Sequence, residues 1–243
     1  GRADDVTFLD QGWDDDTRQE FYYTPQGSEL IRYNWFIALE QPDCACLFRD
    51  NAYLASFKFL PNSSSKHNPD GLPVGFVGDA TTGKDRWLGL TCAACHTTQF
   101  TYRGKTVRVD GGTTLADMIA FQQALVDAVR ATVKQEDKFC RFAWRVLGPT
   151  ATAAQFTELK AELKEGLAGL ADWAAHSRPA IATGFGNWDA VNILLNQING
   201  AALGEPANYR TPQVPVSYPS IWRSNQMDKL LWNASVHNLT LRQ

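Results

Sequence analysis

A mainly α-helical fold with long loops and one small β-hairpin is what this sequence predicts, on three observations. Apolar residues recur at helical spacing along several stretches between residues 115 and 198. Strict alternation is confined to Gln99–Val109. Pro, Gly, Asn, Ser and Asp crowd residues 61–84, and Pro recurs through 200–220, so these stretches read as loops.

The elements follow in order. Residues 1–27 are acidic and polar, with Asp14-Asp15-Asp16 and an aromatic group Phe21-Tyr22-Tyr23, and read as an irregular arm. Ser28 is placed to cap a helix running to Glu40, with positions 31, 35, 38 and 39 on one face and Pro42 as its stop. A short mixed element covers Tyr53–Leu60. The long loop 61–84 follows, and a loop of that length in a compact protein is functional or pinned by something large. Phe100 and Tyr102, then Val107 and Val109, flank Arg103-Gly104-Lys105 as a hairpin. Asp110-Gly111-Gly112 turns the chain into a helix over Leu115–Val133, whose apolar face carries Met118, Phe121, Leu125 and Val129. Further helices are expected over Glu136–Leu147, Ala154–Ala175 and Trp188–Ile198. Gly148-Pro149 closes the first of these, Arg178-Pro179 ends the second, and Asp189 sits in the first turn of the third. The whole of 1–243 reads as one domain, with an arm (1–27) and an extended tail (200–243).

Bulk properties exclude some classes. A net charge of -3 leaves no basic footprint for nucleic acid. No apolar run reaches the length of a membrane span. The chain opens Gly1-Arg2-Ala3 without a Met or an apolar leader, from which removal of a secretory signal is expected.

The chemistry lies in Cys92-Ala93-Ala94-Cys95-His96, a CxxCH pattern. Two thiols at this spacing add across the two vinyl groups of one haem, and the next histidine becomes an axial iron ligand. A redox-active CxxC pair would need a thioredoxin-like βαβ setting, and half a zinc site would need another Cys or His pair; the sequence shows neither. One covalent haem c, through Cys92 and Cys95 with His96 on the iron, is therefore expected in a cytochrome c-like helical domain. Haem c is attached outside the cytoplasm, which places the protein in the periplasm or outside the cell. There one disulfide, Cys140 with Cys44 or Cys46, competes with three free thiols.

The sixth iron position decides function. Water or an open site permits O₂ or peroxide chemistry, whereas His or Met favours electron transfer. Met227, His237 and His67 are the candidate ligands; Met118 reads as core and His176 as a helix C-terminal residue. Arg86 and Arg108, which flank the motif, are candidate partners for the haem propionates.

Several segments resemble the N-terminal half of the di-haem cytochrome c peroxidase-like superfamily, in particular its rubber oxygenase branch. They are Thr24-Pro25-Gln26-Gly27-Ser28 through Trp35–Gln41, Gly71-Leu72-Pro73-Val74-Gly75-Phe76, Leu88–Thr98, Asp110-Gly111-Gly112, Gly184-Phe185-Gly186 with Asp189-Ala190, Asn196-Gln197, and Pro215–Pro219 with Trp222. Their shared order carries the likeness more than any one string does. The resemblance implies an extracytoplasmic, redox-active haem protein. It also places the tail near the distal haem face, making Tyr218 and Trp222 candidate catalytic residues there. The family carries a second CxxCH; here the only cysteine after the motif is Cys140. Two readings stay open. One is a peroxidase- or oxygenase-type enzyme drawing on a redox partner or a second haem domain. The other is a six-coordinate electron carrier, or a subunit of a multi-chain cytochrome assembly without activity of its own.

Overall fold

The computed structural model describes residues 6–80, 86–230 and 236–237. The ends of the expected arm (1–5), loop (81–84) and tail (231–235 and 238–243) lie outside these.

The chain starts with β1 (Val6–Phe8), α1 (Asp15–Tyr23), β2 (Ile31–Arg32), α2 (Tyr33–Ala38) and α3 (Asn51–Ser56). Next come β3 (Phe76–Asp79), β4 (Trp87–Leu90), α4 (Cys92–Cys95), β5 (Thr97–Tyr102) and β6 (Lys105–Asp110). Three long helices follow: α5 (Met118–Lys134), α6 (Glu136–Leu147) and α7 (Ala153–Ser177). The last part holds β7 (Asn187–Trp188), α8 (Ala190–Leu195) running into a π-helix (Asn196–Ala202), β8 (Val216–Ser217), β9 (Lys229–Leu230) and β10 (Val236–His237).

This overturns the mainly α expectation. Helix accounts for 44% and strand for 15%, an α/β mixture. Two three-stranded sheets, β1-β6-β5 and β2-β4-β3, and two paired ribbons, β7-β8 and β9-β10, are present among the described residues. The helix expected from Ser28 to Glu40 is the clearest casualty. Ile31 and Arg32 pair antiparallel with Leu88 and Trp87, and Leu30 N donates to Leu88 O at 2.8 Å. Long-range backbone pairing has beaten local periodicity, and only Tyr33–Ala38 remains helical. The arm is not irregular either. Asp14 caps α1 by accepting Thr17 N, and β1 adds in parallel to β6. The long loop contains β3, and the hairpin spans Thr97–Asp110, more than its alternating stretch.

The helices α5, α6 and α7 pack on one another, with Thr152 and Gln155 forming a capping box at the start of α7. Phe121, fully buried on α5, meets Phe59 at 5.0 Å and Phe76 at 5.7 Å between ring centres, both edge-on. This joins the helices to the β2-β4-β3 sheet that carries the CxxCH segment at its end. Glu40, buried, is gripped by Arg141 and Arg145 of α6 at 2.8 Å and Lys138 at 3.6 Å. Of the two alternatives for the remaining cysteines, free thiols are found: Cys44, Cys46 and Cys140 are all free, the first two between the bridged pair Glu40 and Leu47, the third on α6.

Candidate functional site

The CxxCH segment is held from four sides. Thr91 caps α4 by accepting from Ala93 N, donates its hydroxyl to Tyr22 O at 2.9 Å, and donates its own backbone N–H to Gly75 O at 2.8 Å. Gln26 Oε1 accepts from Cys92 N at 3.0 Å. Gly111 N donates to His96 O at 2.8 Å, so the Asp110-Gly111 turn closes on the motif. The tail completes the setting: Ile221 N donates to Gly111 O at 2.9 Å, and Trp222 Nε1 to Asp110 O at 2.8 Å.

His96 is the best-defined side chain. Its Nδ1 lies 2.8 Å from Pro219 O. A carbonyl only accepts, so Nδ1 carries the proton and Nε2 keeps its lone pair. Burial lowers the imidazole pKa, partly offset by the Pro219 carbonyl, so the neutral ring prevails at pH 7. The Cys95 thiol is pushed up to about 12 by burial, against the Tyr218 hydroxyl, which lowers it, and with a smaller upward push from Cys92. Cys92 is exposed.

Beside Cys95 and His96 opens a cavity of about 480 Å³, within the range of small-molecule and cofactor sites. Trp188, Val191, Leu195, Val214, Val216, Tyr218 and Pro219 give it a largely apolar lining. Asp189, buried, fixes this wall by accepting from Asn192 N, Gln213 N and Val214 N at 2.9–3.2 Å. Two polar atoms of the lining are buried without a hydrogen bond: Trp188 Nε1 and the Tyr218 hydroxyl. Burial first, and then the neighbouring Cys95 thiol, push the Tyr218 hydroxyl pKa up. A larger groove, about 660 Å³, lies between β2, β4 and α7. It has no cysteine or histidine in its lining, so chemistry selects the smaller cavity.

The structure brings together Cys92, Cys95, His96 and Tyr218. The other sequence candidates go elsewhere. Trp222 pins the tail to the Asp110 turn and is absent from the cavity lining. Arg86 stacks over Tyr33 at 4.0 Å on the β2-β4-β3 sheet. Arg108 is buried and spends its guanidinium on Gln99 and on the Pro61 carbonyl, both at 2.9 Å. Met227 is 48% exposed and His237 is exposed on β10; neither lines the cavity. Trp188 and the Pro219 carbonyl were not among the sequence candidates, although Pro219 ends one family-like string and Trp188 stands between Gly184-Phe185-Gly186 and Asp189-Ala190.

The residues fit a haem c. Cys95 and the neutral His96 imidazole, its Nδ1 bonded to Pro219 O, line an apolar cavity, and Cys92 stands exposed at the start of the same short helix. Among the described residues no group of three or more His, Cys, Asp or Glu is disposed to hold a bare metal ion. No described helix is long and apolar enough to cross a membrane.

The chain is 37% identical, over 262 aligned residues, to the uncharacterized protein y4iJ of Sinorhizobium fredii (strain NBRC 101917 / NGR234). That match covers 97% of this chain and 43% of the relative, so the chain spans less than half the length of the protein it matches. No protein-family model matches it, and no solved structure does.

Proposed function

We propose that this chain is an extracytoplasmic c-type cytochrome domain carrying one haem, bonded through Cys92 and Cys95 with His96 Nε2 on the iron. Each S–H adds across a vinyl C=C: the sulfur bonds one carbon, the hydrogen goes to the other, and nothing is oxidised. A haem held by these residues would supply one-electron redox chemistry. The observation that carries this reading is the Pro219 carbonyl 2.8 Å from His96 Nδ1, which fixes the tautomer beside two attachment thiols. Such a partner on a ligating histidine orients the ring and raises its basicity.

Among the described residues, the cavity lining holds one histidine, His96, and no methionine. This favours an open or water-occupied sixth position, and with it a domain that reacts with peroxide or O₂ while a redox partner or second haem domain supplies electrons. The likeness to the di-haem peroxidase and rubber oxygenase proteins points the same way. The ferric optical and EPR spectra test it. A high-spin signal, with CO binding to the reduced protein, is expected. A low-spin spectrum indifferent to peroxide and CO would return the domain to electron transfer.

A further inference from the structure

We infer that Cys44 and Cys46 are a thiol–disulfide exchange site, a surface pair that closes into a disulfide by reducing a small-molecule disulfide. It is independent of the haem reading and uses none of the attachment residues.

The pair sits at the tip of the loop from Glu40 to Leu47, and that loop is held in place. Glu40 and Leu47 bridge antiparallel, Gln41 N donates to Cys46 O at 2.8 Å, and Gln41 Nε2 donates to Leu47 O at 3.1 Å. From α6, Lys138 Nζ donates to Gln41 O at 2.8 Å and to Cys44 O at 2.6 Å. Within this frame the two sulfurs converge. Cys46 N donates to Cys44 Sγ at 3.3 Å, so the Cys44 sulfur is curled back over residue 46. The Cys46 sulfur hangs from that same residue, and rotation about its Cα–Cβ bond swings it toward the Cys44 sulfur. The Cys44 thiol also pushes the Cys46 pKa up, as a neighbouring sulfur does. Cys46 is exposed and Cys44 half-buried, so the first meets a disulfide from solvent and the second stands behind it. Cys140 is turned away. Lys138, Arg141 and Arg145 mark the face of α6 that meets Glu40. At about 100° per residue, Cys140 points roughly 130° from the middle of that face. Residues 44–46 enclose too short a loop for a crosslink to contribute much stability, and exposed disulfides are the labile ones.

The Cys46 thiolate attacks one sulfur of R–S–S–R, and RS⁻ leaves with the electron pair. The Cys44 thiolate then attacks Cys46 Sγ, forms the Cys44–Cys46 bond and expels the second RS⁻. The two cysteines are oxidised, the small disulfide is reduced, and the protons lost by the cysteines are those gained by two RSH.

The test treats the full reduced chain with oxidised glutathione, alkylates it with N-ethylmaleimide and maps the peptides by mass. Cys44 and Cys46 are expected to leave the alkylated set together, joined and two hydrogens lighter, while Cys140 stays alkylated. Excess reduced glutathione should return both. Cys44→Ser should leave glutathione held on Cys46, because the thiol that displaces it is gone, and Cys140→Ser should close like wild type. A bond from Cys140 to either cysteine, glutathione retained on wild-type Cys46, all three thiols still alkylated, or a crosslink that reduced glutathione does not reopen would each overturn the inference. The same map reads Cys92 and Cys95: their alkylation would overturn the haem reading alone.

Discussion

Replacing Gly75 by alanine tests how the fold seats the motif. Gly75 has φ +82, in the left-handed region that costs an L-residue about 1–2 kcal/mol. The added Cβ would stand 2.2 Å from Ala94 N and 2.6 Å from Ala94 Cα, where ordinary contact begins at 3.4 Å. Both are backbone atoms of the CxxCH helix, so no side chain can swing away. Either α4 or the Gly75 turn must retreat by at least about 1 Å. Retreat stretches the Thr91 N to Gly75 O bond, now 2.8 Å, which contributes about 1 kcal/mol. With overpacking at about 1–2 kcal/mol, the loss comes to roughly 3–5 kcal/mol. At ~2–4 °C per kcal/mol for a chain of this size, the melting midpoint should fall by roughly 10 °C. Haem content per chain should fall with it, because the two thiols and His96 ride on the displaced segment. Circular dichroism melts and the haem-to-protein ratio read the two effects. A variant within about 2 °C of wild type and fully haem-loaded would refute the close-approach argument.

Three further outcomes are expected. Glu40→Gln leaves Arg141, Arg145 and Lys138 around a neutral amide, and should cost about 2–4 kcal/mol in urea unfolding. Burial pushes the Glu40 pKa up, but the Arg141 and Arg145 hydrogen bonds outweigh it and hold it below 4.5. A depressed carboxylate pKa stabilises fully above the unfolded value and loses that stabilisation as pH falls through the folded one. The gap between wild type and variant should therefore be constant above pH 4.5 and shrink below it; an unchanged gap in acid would contradict this. Asp189→Ala strips the acceptor from three backbone N–H groups, so a loss of about 3 kcal/mol and a disturbed haem absorption band are expected. An unaltered band would mean that the Asp189 wall is not at the haem. Met227→Leu and His237→Ala should leave the ferric spectrum unchanged, since neither side chain lines the cavity; a low-spin to high-spin conversion in either would identify that residue as the sixth ligand.

What was legible in the sequence follows the range of the interactions. The helices α5, α6 and α7 announce themselves, because their apolar faces repeat over many turns; Glu136–Leu147 is found at its predicted ends. The motif is legible for a similar reason: covalent attachment needs two thiols and a histidine at fixed local spacing. The sheets are not. Strands β2 and β4 are two and four residues long, and their pairing joins Ile31 to Leu88, so no alternation builds up in either. Helix α1 hid behind its own cap, with Asp14-Asp15-Asp16 read as part of an irregular arm although Asp14 accepts from Thr17 N as an N-cap. Arg86 and Arg108 sit near the motif along the chain, yet the strands turn them to Tyr33, Gln99 and Pro61. Tyr218 came from resemblance alone, and the unsatisfied state of Trp188 exists only once β7 and β8 have paired.

The most direct measurement of the central claim is the intact mass of the full chain expressed with a haem c attachment system, beside Cys92→Ala/Cys95→Ala. The account predicts a wild-type mass one haem above the bare polypeptide, and the bare polypeptide mass for the double variant. A wild-type chain at the bare polypeptide mass, from cells that load a control cytochrome, would contradict it.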